Sequence, residues 1–116
     1  MKKTKMLKKN YEFRSVLSRG KYYSGKYIEA FIQKNNKKNN LLGIAIGTKI
    51  AKANKRNYIK RLIRENYKNY ENSIKTGNSI VFLWKKKIDT ENANFKNIKE
   101  DMNKIFDKAQ IFIEEK

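Results

Sequence analysis

The sequence has no histidine, no cysteine and no proline, and only 5 glycines among its 116 residues. Without histidine no side chain has an ordinary pKa near neutrality. That removes the usual general base, the usual zinc ligand and any Ser-His or Cys-His nucleophile. Without cysteine there are neither disulfides nor thiolate metal sites, and redox chemistry points to no compartment. No apolar run approaches the roughly 20 residues that a membrane helix needs. The basic opening MKKTKMLKK leads into no apolar stretch, so it does not read as a secretory signal, and a cytoplasmic protein is the default expectation. Acids are scarce as well: 11 Asp and Glu stand against 29 Lys and Arg, a formal net charge of +18. Glu12, Glu29 and Glu65 are scattered without paired-carboxylate spacing, so neither a metal ligand set nor a catalytic residue is assigned to the protein.

What the chain does contain supports one domain over residues 1–116 with a single modest core: 39% apolar residues, 7 Tyr, 6 Phe and 1 Trp. The positive charge is uneven. Residues 1–70 hold 20 bases and 3 acids, whereas residues 71–116 hold 9 and 8. Such asymmetry suits a polyanionic partner on the first part of the chain. Lysine is inflated alongside asparagine and isoleucine, as codon drift in an A+T-rich genome would produce. Drift would leave the arginines scattered at random, yet Arg56, Arg61 and Arg64 fall within nine residues, and only Arg14 and Arg19 lie elsewhere. A clustered basic stretch of this kind is the footprint of nucleic-acid binding.

Along the chain, residues 8–18 suit a short helix capped by Asn10 and ended by Arg19-Gly20, with Phe13, Val16 and Leu17 on its apolar side. Tyr22 to Gln33 reads as extended. One face carries Tyr27, Glu29, Phe31 and Gln33, the other Ile28, Ala30 and Ile32. Residues 34–40 form a turn or hairpin loop on composition. Leu41–Lys49 is a glycine-bounded apolar run, read as a central strand. Helical spacing resumes from Asn54 to Tyr70. Ser79–Trp84 is a strand opened by Gly77-Asn78, followed by a solvated Lys85–Lys87 end. Phe95, Ile98, Met102, Ile105, Phe106 and Ala109 recur at helical spacing. One sheet packed against helices, class α+β, is the expected architecture.

The stretch KANKRNYIKRLIRE, Lys52 to Glu65, carries the strongest signal. At roughly 100° per residue, Ile59, Leu62, Ile63 and Tyr70 converge on one side, which docks on the sheet. Arg56, Asn57, Lys60, Arg61, Arg64 and Lys68 fan over the other through roughly 140°, with Glu65 at its edge. Like charges four residues apart destabilise a helix by roughly 0.2–0.5 kcal/mol per pair. Arg56–Lys60, Lys60–Arg64 and Arg64–Lys68 are so spaced. A purely structural face would interleave acids. Arginine's planar fork donates two parallel bonds to phosphate, and Asn57 adds a neutral group able to reach a ribose or base edge. The plainer alternative is a solvated basic face without a ligand. Phe13, Tyr27 and Phe31 read first as packing residues, although aromatics on an open sheet face can also stack unpaired bases.

KANKRNYIKRLIRE resembles the arginine–asparagine-rich signature of the bacterial ribonuclease P protein family, matched by Ala53, Arg56, Asn57, Ile59, Lys60, Arg61, Ile63, Arg64 and Glu65. NYEFRSVLSRG, LGIAIGTK, GNSIVFLWK and NFKNIKEDMNKIFDKA resemble further segments of that family in the same order. The chain departs from the pattern at Asn54, Thr48, Leu17 and Asn78-Ser79. The resemblance implies an αβββαβα fold, a mixed four-stranded sheet and a left-handed βαβ crossover. It implies a protein partner for a catalytic RNA that removes the 5′ leader of precursor tRNA, with Mg²⁺ held mainly by the RNA and substrate. Lys52, Arg56, Asn57, Lys60, Arg61, Arg64 and Lys68 would meet the RNA. Phe13, Leu17, Phe31 and Lys49 would belong to a leader-binding cleft. No membrane and no small-molecule substrate are expected. The alternatives are a ribosomal or general RNA-binding protein, or less plausibly a protein-only nuclease.

Overall fold

The run Ser79–Trp84 is apolar on both faces because both faces are covered. In the computed structural model, which describes residues 1–114, it forms the middle strand of a mixed sheet ordered β1-β4-β5-β3-β2. The elements are β1 (Thr4–Met6), α1 (Asn10–Arg19), β2 (Lys21–Ser24), β3 (Ile28–Lys34), β4 (Asn40–Ala45), α2 (Ala53–Tyr70), β5 (Asn78–Trp84) and α3 (Phe95–Lys108). Strands β1, β4 and β5 run parallel, while β3 is antiparallel to β5 and to β2. Helix α2 is therefore the crossover between neighbouring parallel strands, and its first turn stands beyond the ends of β4 and β5 at Ala45 and Trp84.

Period-2 alternation assigns the two faces. Ile28, Ala30, Ile32, Leu42, Ile80, Phe82 and Trp84 meet α2 and α3 through Ile59, Leu62, Ile63, Tyr67, Ile98, Met102, Ile105 and Phe106. The opposite face carries Phe31, Leu41, Val81 and Leu83 against Leu7 and the α1 residues Phe13, Val16 and Leu17. Helix α1, 10 residues long, leaves part of this second face open along its side. Gly43 lets it lie close. A Cβ there would stand 2.6 Å from Phe13 Cε1 and 2.9 Å from Leu7 Cδ1. Gly43→Ala should therefore lift α1 off the sheet and destabilise the protein by about 1–3 kcal/mol, read as a lowered thermal midpoint.

Three expectations need correction. The sheet has five strands and not four. Thr4–Met6, inside the lysine-rich opening, pairs parallel with Asn40–Leu42. It is held by a buried 2.7 Å hydrogen bond between the Thr4 and Tyr67 hydroxyls. Lys9, not Asn10, caps α1, and its amide donates to Glu12 Oε1 at 3.3 Å. Finally, Tyr27 leaves the Phe31 row, because a turn separates β2 from β3 just before it. Its ring stacks on Trp84 at 6.3 Å and belongs to the α2–α3 core.

Candidate nucleic-acid interface

Helix α2 begins with cations where its macrodipole is already positive. Lys52 occupies the N-cap without a side-chain cap, and no acid lies in the first turn. Nothing within the helix compensates this arrangement, so an external anion would. The apolar sector is wider than Ile59, Leu62 and Ile63 alone suggest. Asn66 and Tyr67 are also buried, the latter with its phenol held above its ordinary pKa chiefly by burial, whereas Tyr70 is only partly covered. Tyr67 lies on the wheel between Arg56 and Lys60. Those two and Arg64 are consequently half-buried along their stems, while Lys52, Asn57, Arg61 and Lys68 stand exposed.

Arg56 is partly committed to the fold, since Nη1 donates to the Ala51 carbonyl at 2.7 Å and closes the turn entering the helix. Arg61 lies over the Tyr58 ring at 5.5 Å and 3.9 Å from Glu65, with side chains 64% and 50% exposed. An exposed pair at that separation is worth about 0–1 kcal/mol and does not tie the guanidinium down. Lys60 and Arg64 have no ion pair among the described residues.

Lys60 links this helix to the uncovered end of the sheet. There a cleft of about 480 Å³ is lined by Phe13, Leu17, Glu29, Ala45, Leu83, Lys60 and Lys86, among others. It runs along one side of α1, over the β4–β5 strand ends. Phe13 and Leu17 both line it. Phe31 lies on the same sheet face but outside the lining, with the Tyr22 ring at 5.2 Å. Lys49 sits in the exposed loop before α2 and lines an adjoining depression of about 700 Å³, which shares Gly47, Ile50 and Lys86 with the cleft. Lys86, read from sequence as part of a solvated strand end, reaches both. Glu29 was a scattered acid in the sequence. In the fold its Oε2 accepts the Tyr22 hydroxyl at 2.6 Å, which raises the Tyr22 pKa. No sequence signal marked Leu83 or Ala45, whose place depends on where α1 crosses the sheet. Among the described residues no group of three or more His, Cys, Asp or Glu is placed to hold a metal ion, and no helix is long and apolar enough to cross a membrane.

The chain is similar in sequence and in fold to known proteins. The family model described as Ribonuclease P matches residues 1–110. The ribonuclease P protein component of Clostridioides difficile is 36% identical over 112 residues, spanning 96% of each chain. That of Fusobacterium nucleatum is 36% identical over 107 residues, 90% of this chain and 96% of its own. The structure of the RNase P protein from Thermotoga maritima aligns with TM-score 0.79 at 26% identity, over 96% of this chain and 99% of that one. The one from Staphylococcus aureus aligns with TM-score 0.78 at 25% identity, over 93% and 97%. The chain belongs to the ribonuclease P protein family.

Proposed function

We propose that this chain is the protein cofactor of a ribonuclease P ribonucleoprotein, binding the catalytic RNA and the 5′ leader of precursor tRNA so that the leader is cut away. The observation that carries the reading is the continuity at Lys60 between the cationic side of α2 and the cleft beneath α1. A folded RNA lying on Lys52, Asn57, Arg61, Arg64 and Lys68 would bring a single strand emerging from it into the cleft. There Phe13 and Leu17 offer apolar surface and Lys60 and Lys86 offer charge. Lys60 sits at the join between the two.

The chain's own work is binding, orientation and charge screening. Histidine is absent and no carboxylate cluster is placed to hold a metal among the described residues, so no proton transfer or metal-assisted step is assigned to its side chains. Mg²⁺ would be held by RNA phosphates, activating water and stabilising the leaving oxygen. The cations of α2 would lower the repulsion between the two RNAs and so favour occupancy of those metal sites. The complex would work in the cytoplasm, with no membrane and no small-molecule substrate.

Adding the protein to a bacterial RNase P RNA and precursor tRNA in low magnesium should raise the rate of leader removal. Equal affinity for duplex DNA and for RNase P RNA, with no gain in cleavage, would instead identify a general nucleic-acid-binding protein. Magnesium-dependent cleavage surviving rigorous removal of RNA would identify a protein-only nuclease.

A further inference from the structure

The cleft holds one acid among its cations. Lys60 and Lys86 line it together with Glu29. In a chain of net charge +18, Glu29 makes no ion pair among the described residues. The one such pair joins Arg61 to Glu65. Its Oε2 accepts from Tyr22, and its Oε1 takes no hydrogen bond within the described chain. A carboxylate repels phosphate, so a groove that held only the RNA backbone would gain nothing from it. Nucleobases are different: the exocyclic amino groups of cytosine and adenine donate along edges that are free in a single strand.

The surroundings favour a base over a hydrated cation. Glu29 and Phe31 project from the same face of β3, with the Tyr22 ring tilted 52° against Phe31. Phe13 lines the cleft from α1. Aromatic and apolar walls hold a base by its flat faces and turn its polar edge toward whatever acceptor is present. Tyr22 fixes one carboxylate oxygen, and so orients the other.

We propose that Glu29 is a specificity-determining residue of the cleft, accepting the amino group of a cytosine or adenine in the bound single strand and disfavouring uracil, whose carbonyl would face the carboxylate. The inference rests on the leader-binding reading of the cleft given above. It concerns a residue that the basic helix does not contain, and a sequence choice that phosphate contacts cannot make.

The test uses the full chain assembled with a bacterial RNase P RNA. Precursor tRNAs differing only by cytosine or uracil at one leader position, scanned position by position, compete for cleavage. With the wild-type protein one position should favour cytosine by about fivefold in kcat/KM, the discrimination expected of one hydrogen bond. Glu29→Gln, whose amide can turn its NH₂ toward uracil, should reduce that ratio below about twofold while leaving the thermal midpoint unchanged. A cytosine preference that persists in Glu29→Gln would overturn the inference. So would a variant that slows all leaders equally and raises the magnesium requirement, which would make Glu29 a cation site. The wild-type scan needs no variant: protein-stimulated cleavage that is blind to cytosine and uracil everywhere overturns this inference and leaves the proposed function standing. No stimulation with any leader overturns both.

Discussion

Replacing Arg61 and Arg64 together by alanine should weaken binding to RNase P RNA by about tenfold or more near 0.1 M salt, because each lost charge-assisted contact is worth about 1 kcal/mol or above. The logarithmic dependence of affinity on salt should also flatten by roughly 0.7–0.9 for each phosphate contact removed. A filter-binding or fluorescence titration at several salt concentrations reads both quantities. These two residues are the clean choice. Arg61 is exposed, and its 3.9 Å approach to Glu65 contributes little, so alanine there costs the fold almost nothing. Arg64 is half-buried by its stem but makes no ion pair among the described residues. Arg56 is a poor choice, because it also holds the Ala51 carbonyl at 2.7 Å and its loss would disturb the entry to α2 as well as any RNA contact. Unchanged affinity and slope in the double variant would remove this side of α2 from the interface.

The same residues mark how far the sequence could be read. The 3.6-residue period of Ile59, Leu62 and Ile63 places a helix and its buried side without any tertiary information, and α2 runs Ala53–Tyr70 where spacing alone gives Asn54 to Tyr70. The Gly-Asn opening and continuous apolar character of β5 likewise reveal a strand, which the fold covers on both faces. Tyr67 could not be placed by periodicity. It lies within the basic arc, and its ring packs near Phe106 while its hydroxyl meets that of Thr4, 63 positions away. Strand β1 was hidden for a related reason. Three residues among lysines have no pattern of their own, and only the free edge of β4 makes them a strand.

The candidate site divides along that line. Its charged half is local, one helix whose cations are adjacent in sequence, and was visible from composition and spacing. The cleft is an absence, the part of the sheet left open beside α1, and no single segment encodes it. Hence only the family resemblance points to Phe13 and Leu17 from the sequence, while Glu29, Leu83 and Lys86 emerge only from the packing.

Asp101 lies outside the basic region, yet its loss should cost the fold heavily. It is a helix residue, only 2% exposed, and its carboxylate accepts three backbone amides of the β2–β3 turn: Lys26 at 2.9 Å, Tyr27 at 2.6 Å and Ile28 at 2.9 Å. Gly25 makes room for it, since a Cβ there would stand 2.5 Å from the carboxyl carbon. Alanine at 101 would strand these donors, one of them on the fully buried Ile28, at a cost of about 3 kcal/mol. That is a large share of the roughly 5–15 kcal/mol by which domains are stable, and corresponds to a fall of about 12 °C in thermal midpoint. Asp101→Asn should cost nearly as much, because its amide must aim one NH₂ at a backbone N–H. Two amides at this turn precede Glu29 directly in sequence, so loosening it loosens the cleft wall before it affects α2. Below the unfolding transition, Asp101→Ala should therefore keep the wild-type salt slope on RNase P RNA while melting early. A variant that melted normally would show that the turn is held by strand pairing alone.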